Sequence, residues 1–468
     1  MTPRDTSPQT GLYTRVVSSL LFPLHERLKR HTTVALRRQM EQSQWWPAER
    51  LEALQLERLR TLLVRAAQHV PHYRDSFASM GFDPARDVHS LDDLRKLPLL
   101  DKAAIRAAGE GMKADNAIGL ARFNTGGSSG EPLIFYIGKE RVSHDVAAKW
   151  RATRWWNVDI GDREVVVWGS PIELGAQDSV RAVRDTMLRT VLLPAFAMSE
   201  EKLDGFLDQI RSLRPRMLFG YPSALSHIAR HAARRGIKMN DLGIRVAFVT
   251  SERLYDEQRQ QISEAFGCPV ANGYGGRDAG FIAHQCPAGS MHLTAEDIIV
   301  EILDPAGQPV PRGQSGEIVV THLATGDFPF IRYRTGDIGV LDTAPCTCGR
   351  GLPLLKEIQG RSTDFLVAHD GTIMHGLALV YILRDLPAVK AFKIVQETID
   401  LTRVQVVGES VFDDALLARI VAGFKARLGA QVAIEIEQIE AILPEKSGKF
   451  RYVISKVDAA RQHGAGRA

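Results

Sequence analysis

A chain of 468 residues is too long for one ordinary hydrophobic core, so two or three domains are expected. An apolar share of 44% and a charged share of 24% describe an ordinary globular protein, and a net charge of +4 gives no argument for a nucleic-acid partner. No apolar run approaches the ~18–20 residues of a membrane span, no signal-peptide pattern opens the chain, and four Cys make no disulfide framework, which together predict a cytoplasmic enzyme.

Residues 11–118 read as helices. Leu12–Leu28 combines apolar residues with Arg15, Arg27, Lys29 and Arg30. Such a segment suits a membrane surface, but the preferred reading is a helix packed on the body of the protein. Leu51, Leu54, Leu56, Leu59, Leu62, Leu63 and Ala66 recur at helical spacing. In SLDDLRKLPLLDKAAIRA a capped helix, a proline break and a second helix capped by Asp101 are expected.

The stretch FNTGGSSGEPLIFY (123–136) then gathers Gly126, Gly127 and Gly130 among Thr125, Ser128 and Ser129. It offers backbone N–H groups, close backbone approach and hydroxyl donors, which a polyphosphate needs. Glu131 stands where a Walker A loop has its Lys, so the loop is not of that type. By itself the run also fits a surface hairpin.

Beyond it, strands REVVVWG (163–169), MLFGYP (217–222), RVAFVTSE (245–252) and PVANGYG (269–275) alternate with helices over 200–213, 223–235 and 256–266. Alternation of this kind predicts an α/β fold with a largely parallel sheet. From about 297 to 345 short strands between turns suggest a small antiparallel or barrel-like β unit. The tail has strands VKAFKIVQ, LTRVQVVG and QVAIEIEQI around a helix over 411–428, a compact α+β module. The expected organisation is therefore a large N-terminal α/β domain over 1–360, with its helical part and small β unit, and a small C-terminal domain over 361–468.

Several loops at strand ends carry chemistry, and ligands in open α/β sheets bind at the carboxyl ends of strands. NGYGGRDAG (272–280) supplies Tyr274, Gly275 and Asp278; RYRTGD (332–337) supplies Asp337 on an expected sharp turn; QGRSTDFL (359–366) supplies Arg361; PEKSGKFR (444–451) supplies Lys449. An aromatic for a base, carboxylates for ribose and metal, and cations for phosphate complement the Gly-rich loop.

In this order and spacing, from about Leu51 to the end of the chain, the motifs resemble those of the adenylate-forming superfamily, and more narrowly the phenylacetate–CoA ligase family and its capsule-biosynthesis relatives. The resemblance implies that Thr125, Gly126, Gly127, Ser128, Ser129 and Gly130 bind ATP phosphates. It places Ser251 and Glu252 along the adenine, Tyr274 with Gly275 against the base, Asp278 on Mg²⁺, Asp337 on the ribose, Arg361 at the ribose–phosphate region, and Lys449 at the α-phosphate and attacking carboxylate. Tyr221, Pro222 and Ser223 are candidates for the acyl pocket, with Tyr221 equally readable as core. Two departures stand out. The chain reads YGGRD where relatives usually read Y-G-x-[ST]-E, and Thr363 with Asp364 replaces the usual hinge residue.

The implied reaction joins a carboxylic acid, aromatic acids among the candidates, to AMP and then to CoA, releasing pyrophosphate and AMP, with the C-terminal domain as a mobile lid. Transfer to an amine, a hydroxyl or a carrier-protein thiol is the runner-up, and an inactive scaffold on the same fold is the reading from another class. The partners expected are the acid, ATP and CoA, with no nucleic acid and no membrane span; the oligomeric state is open, a dimer included. Cys286, His292, Cys346 and Cys348 fit a closed structural zinc site, a pattern that members of the family resemble; three unrelated thiols are the alternative. Cys268 reads as core.

Overall fold

The computed structural model describes residues 11–124, 133–168, 179–195, 198, 200–361, 365–370, 373–375, 377–384, 386–408, 410–442 and 452–457. The chain divides into two compact units, one taking in 1–335, 339–358 and 446–448, the other 336–338, 359–445 and 449–468.

The helical start of the chain follows its apolar periodicity. Helix Ala48–His69 buries Leu51, Leu59, Leu62, Leu63 and Ala66. Val70 precedes a proline and is extended, which ends that helix, and Pro71 opens the next, Pro71–Met80. Asp101 caps Lys102–Ala108 as expected, its carboxylate accepting from Ala104 N at 2.7 Å. The preceding capped segment, Leu91–Lys96, is a 3₁₀ helix closed by a Ser90/Asp93 capping box.

Two short antiparallel strands, β1 (Ala121–Asn124) and β2 (Ile134–Ile137), come next. The main sheet has eleven strands: β3 (Glu164–Trp168), β4 (Thr190–Pro194), β5 (Met217–Gly220), β6 (Val246–Thr250), β7 (Val270–Gly276), β8 (Gly280–Gln285), β9 (Met291–Leu293), β10 (Ile298–Leu303), β11 (Ser315–His322), β12 (Tyr333–Leu341) and β13 (Leu354–Arg361). Their order is β10-β11-β12-β13-β9-β8-β7-β6-β5-β3-β4. The pairs β4–β3, β3–β5, β5–β6 and β6–β7 are parallel, as strand–helix alternation requires. Helices Glu200–Leu213, Pro222–Arg234 and Asp256–Phe266 bury Leu207, Leu225, Ile228, Ile262 and Phe266 against this part. Past β7 the pairing becomes antiparallel in β7–β8, β8–β9, β9–β13 and β10–β11. The strands read as a small β unit over about 297–345 thus form no sheet of their own but continue this one.

The second unit contains hairpin β14 (Phe365–Val367) with β15 (Ile373–His375) and a sheet of β16 (Val389–Thr398), β17 (Leu401–Gly408), β18 (Ala433–Gln438) and β19 (Val453–Ser455), ordered β18-β17-β16-β19. Helix Asp414–Leu428, capped by Asp413, buries Ile420, Phe424 and Leu428 in a core with Leu379, Leu383, Ile394, Val404 and Val406.

Candidate functional site

The root of the Gly-rich loop is fixed by the core. Asn124 and Ile134 pair at the loop end of the β1–β2 hairpin. Leu133 and Phe135 are fully buried, and Phe135 meets Phe330 edge-on at 5.8 Å. Phe330 meets Tyr333 edge-on at 5.1 Å. The Tyr333 hydroxyl donates to Asp278 Oδ2 at 2.7 Å. An unbroken line of contacts therefore connects the hairpin that carries the Gly-rich loop to the RYRTGD and YGGRD motifs. Thr125, Gly126, Gly127, Ser128, Ser129 and Gly130 themselves lie outside the described residues, as do Lys449, Thr363, Asp364 and the Arg361 side chain.

Tyr274 sits half-buried on β7, where the pairing with β8 shifts register between Tyr274 and Gly275. At that irregularity Gly280 O comes within 2.2 Å of where a Cβ on Gly275 would stand, so only glycine fits behind the tyrosine. The turn that follows presents Asp278, whose Oδ1 accepts from Ala279 N at 3.1 Å. Arg141, 2% exposed, donates to the Arg277 carbonyl at 2.7 Å and fixes the same turn from beneath, while the Arg277 guanidinium lies 5.9 Å above the Phe123 ring.

Asp337 is half-buried on β12. The expected sharp turn is instead a strand, bent where Gly336 takes a left-handed φ of 75°. Thr335 Oγ1 donates to Ile318 O at 2.8 Å and holds the bend on the neighbouring strand. At the end of β6, Ser251 also has a left-handed φ, 70°, a conformation that costs a non-glycine residue. It turns the chain so that Glu252 Oε2 accepts from Ser223 N at 3.2 Å. Pro222 opens helix Pro222–Arg234, so Glu252 places a carboxylate at that helix's N-terminus. The candidate adenine segment and the candidate acyl segment thus share a hydrogen bond. Tyr221 is 3% exposed and stacked on Trp168 at 4.3 Å, which makes it a wall of the core.

The cysteine constellation assembles. The ligand atoms of Cys286, His292, Cys346 and Cys348 all lie within 4.8 Å of one another. Cys286 and Cys346 sulfurs are 3.7 Å apart, and Cys348 Sγ is 3.3 Å from His292 Nε2. The 53-residue gap between His292 and Cys346 is closed by the sheet, because β13 pairs with β9 with Leu354 opposite His292. Burial pushes His292 down to about 4, helped by the Arg350 cation, so its imidazole is neutral as a ligand must be. Burial pushes the Cys286 thiol up to about 12. A neutral imidazole and three thiols converging in one pocket suit a thiophilic dication, which ionises the thiols it binds. Cys268 is buried among Ile262, Phe266 and Val270, away from this group.

Sequence reasoning overlooked helix Lys139–Arg154, which buries Arg141, His144 and Arg151. His144 Nδ1 lies 2.6 Å from Asp297 Oδ1, and Arg151 Nη1 donates to Glu296 Oε1 at 2.6 Å. The signal was a 16-residue helix following the loop without glycine or proline.

The family model described as AMP-binding enzyme matches residues 187–325, and the CapK C-terminal domain model matches 366–456. Phenylacetate-coenzyme A ligase of Thermus thermophilus is 25% identical over 443 residues, 87% of this chain and 97% of that protein. Protein CapK of Staphylococcus aureus is 24% identical over 369 residues, 78% of this chain and 81% of that one. A crystal structure of 2-hydroxyisobutyryl-CoA ligase, in the postadenylation state in complex with R3-HIB-AMP, matches 90% of this chain and 92% of that chain at a TM-score of 0.70 and 23% identity, a likeness of fold.

Proposed function

We propose, from the chain's membership of the adenylate-forming superfamily beside the phenylacetate–CoA ligases and CapK proteins, that it is an AMP-forming acid–CoA ligase acting on a small carboxylic acid. The observation that carries this reading is the contact line Phe135–Phe330–Tyr333–Asp278, which binds three motifs of the reaction into one core.

The proposed chemistry runs in two displacements. A carboxylate oxygen of the acid attacks the α-phosphorus of ATP, the bond to the β-phosphate oxygen breaks, and pyrophosphate leaves. The thiol sulfur of CoA then attacks the acyl carbon, its proton passes to solvent, and AMP leaves with the C–O bond electrons. Thr125 to Gly130 cradle the β- and γ-phosphates, Tyr274 packs on the adenine, Asp337 accepts from the ribose hydroxyls, and Arg361 meets the ribose–phosphate region. Lys449 neutralises charge at the α-phosphate during the first displacement. Asp278 is the protein ligand for Mg²⁺, which when bound draws charge off the departing pyrophosphate. Pro222 and Ser223 border the acid, and Glu252 orients their helix. Cys286, His292, Cys346 and Cys348 hold a structural Zn²⁺, a closed set with no position left for catalysis.

ATP–pyrophosphate exchange over a panel of carboxylic acids, followed by CoA thioester detection, tests the reading. Lys449→Ala should abolish exchange yet pass a preformed adenylate on to CoA. Exchange without any thioester would favour an amine, hydroxyl or carrier-protein acceptor. No exchange with any acid would favour an inactive scaffold.

A further inference from the structure

The segment Leu12–Leu28 has two apolar faces, and the body of the protein covers one of them. On the covered side Val17 is fully buried, Thr14 Oγ1 donates to Asp162 Oδ1 at 2.8 Å, and Phe22 meets Trp150 edge-on at 5.2 Å. Glu26 is also buried and takes the Thr33 hydroxyl and the rings of His25 and His31 as partners. This side bears out the expectation of a helix packed on the body.

The other side is bare. Leu12 is 80% exposed, Val16 41%, Leu20 62%, Leu24 53% and Leu28 77%, and Tyr13 beside them is 39% exposed. Six of the ten exposed large hydrophobic residues among the described residues fall in this one segment, so they are not the usual scatter of single apolar residues over a surface. Apart from Tyr13, their spacing is four throughout. In a plain α-helix each four-residue step overshoots a full turn by about 40°, and the row would wind round the helix. Here Val17–Leu21 is a turn of π-helix, placed just before Pro23. Its wider turn takes up part of the drift and keeps the row from winding as far round the helix.

The exposed charges of the segment itself have one sign. Arg15, Arg27, Lys29 and Arg30 are exposed, while the segment's one acid, Glu26, is buried. The Arg189 guanidinium adds a further cation 3.5 Å above the Tyr13 ring. A second copy of this chain laid on the row would bring cations against cations. An anionic lipid surface accepts both features together, apolar side chains at the acyl boundary and cations at the phosphates. Among the described residues no helix is long and apolar enough to cross a membrane.

We propose that Leu12–Leu28 docks this enzyme on anionic lipid surfaces, lying in the plane of the interface with Leu12, Val16, Leu20, Leu24 and Leu28 immersed. The test uses the full chain. It should float with vesicles that contain phosphatidylglycerol, at least about tenfold more than with phosphatidylcholine alone, and high salt should weaken the binding. The double variant Leu20→Glu/Leu24→Glu should lose vesicle binding while its thermal unfolding and its ATP–pyrophosphate exchange stay as in the parent, because both side chains face solvent. Arg27→Gln/Lys29→Gln/Arg30→Gln should lose the preference for the anionic lipid. Equal binding to both vesicles, or binding that survives the Leu→Glu pair, would overturn the proposal. So would a dimer, seen by light scattering, that the same pair dissociates, since a second copy would then be the occupant.

Discussion

The phenol of Tyr333 donates to Asp278 Oδ2 at 2.7 Å across 55 residues of sequence, from a ring that is fully buried. The candidate metal acid is therefore held from behind by the motif that also carries the candidate ribose acid. Tyr333→Phe keeps the ring packing on Phe330 and removes a hydrogen bond to a charged group, worth about 1.5–3 kcal/mol. Catalytic efficiency with ATP should fall by about tenfold or more, and the Mg²⁺ concentration for half-maximal ATP–pyrophosphate exchange should rise. A Mg²⁺ dependence identical to the parent's would take Asp278 out of the metal site.

A buried ion pair under the sheet gives a second test. Arg151 and Glu296 side chains are 1% and 2% exposed. Arg151 Nε and Nη2 have no hydrogen-bond partner among the described residues. Removing one partner strands a buried charge, so Arg151→Met should cost about 3–5 kcal/mol in urea unfolding. Adding Glu296→Met should recover most of that loss. A double variant no more stable than Arg151→Met would show that the pair is worth its desolvation.

The parts of the fold that sequence revealed were those whose signal is local. Asp256–Phe266 has its helical pattern and a terminal Gly267, and β5 and β6 are continuous apolar runs buried on both faces. Helix Lys139–Arg154 was missed because its buried face mixes Arg141, His144 and Arg151 with small alanines and Trp150. Its partners, Asp297 and Glu296, lie about 150 residues away, and no apolar stripe announces charges that pair at long range. RYRTGD looked like a turn because Gly and Asp stand together; the sheet takes the segment as strand and spends Gly336 on a bend. The strands beyond 297 read as a unit apart because periodicity reports a strand's faces and not which neighbour it pairs with. In the candidate site, sequence could name motif residues only one by one as candidates, and the Tyr333–Asp278 and Ser223–Glu252 hydrogen bonds exist only through tertiary packing.

The His144–Asp297 pair sets a pH dependence. Burial works against the charged imidazole, but the Asp297 carboxylate outweighs it and raises the His144 pKa. Burial likewise works against the carboxylate, and His144, with Arg58, outweighs it and lowers the Asp297 pKa. Glu140 also faces His144, and His322 faces Asp297. A raised histidine stabilises fully below its unfolded value of about 6.5 and loses that contribution as pH climbs through its folded value. A lowered aspartate contributes above about 3.9 and loses it as pH falls. The stability difference between the parent and His144→Gln should therefore be largest between these two values and shrink towards alkaline pH. Urea unfolding at a series of pH values reads this directly, and a difference that grows above neutrality would mean that the pair is not ionised.

The last prediction is the zinc. Residues 343–351, TAPCTCGRG, have only Ala344 and Pro345 as aliphatic side chains, too little to order a turn by burial. Yet Cys346 is 7% exposed and its sulfur lies 3.7 Å from that of Cys286, with Cys348 N donating to Cys346 Sγ at 3.4 Å. Arg350 braces the turn, its Nε donating to Gln44 Oε1 at 3.0 Å and its guanidinium lying 4.5 Å from the Trp155 ring. An ion shared by Cys286 just after β8, His292 on β9 and this turn would staple the turn to the sheet, so its loss should be felt as instability rather than as altered chemistry. Protein purified without chelators should carry about one zinc per chain. Cys346→Ser should lower metal content and melting temperature together. Cys268→Ser should change neither much, because that thiol, pushed up to about 12 by burial, sits in the core of the parallel half of the sheet. Stripping the metal should leave the ATP Michaelis constant of the surviving folded fraction unchanged. Elemental analysis that finds no zinc in active protein would sink the assignment, and a Cys346→Ser variant that melts with the parent would remove its structural role.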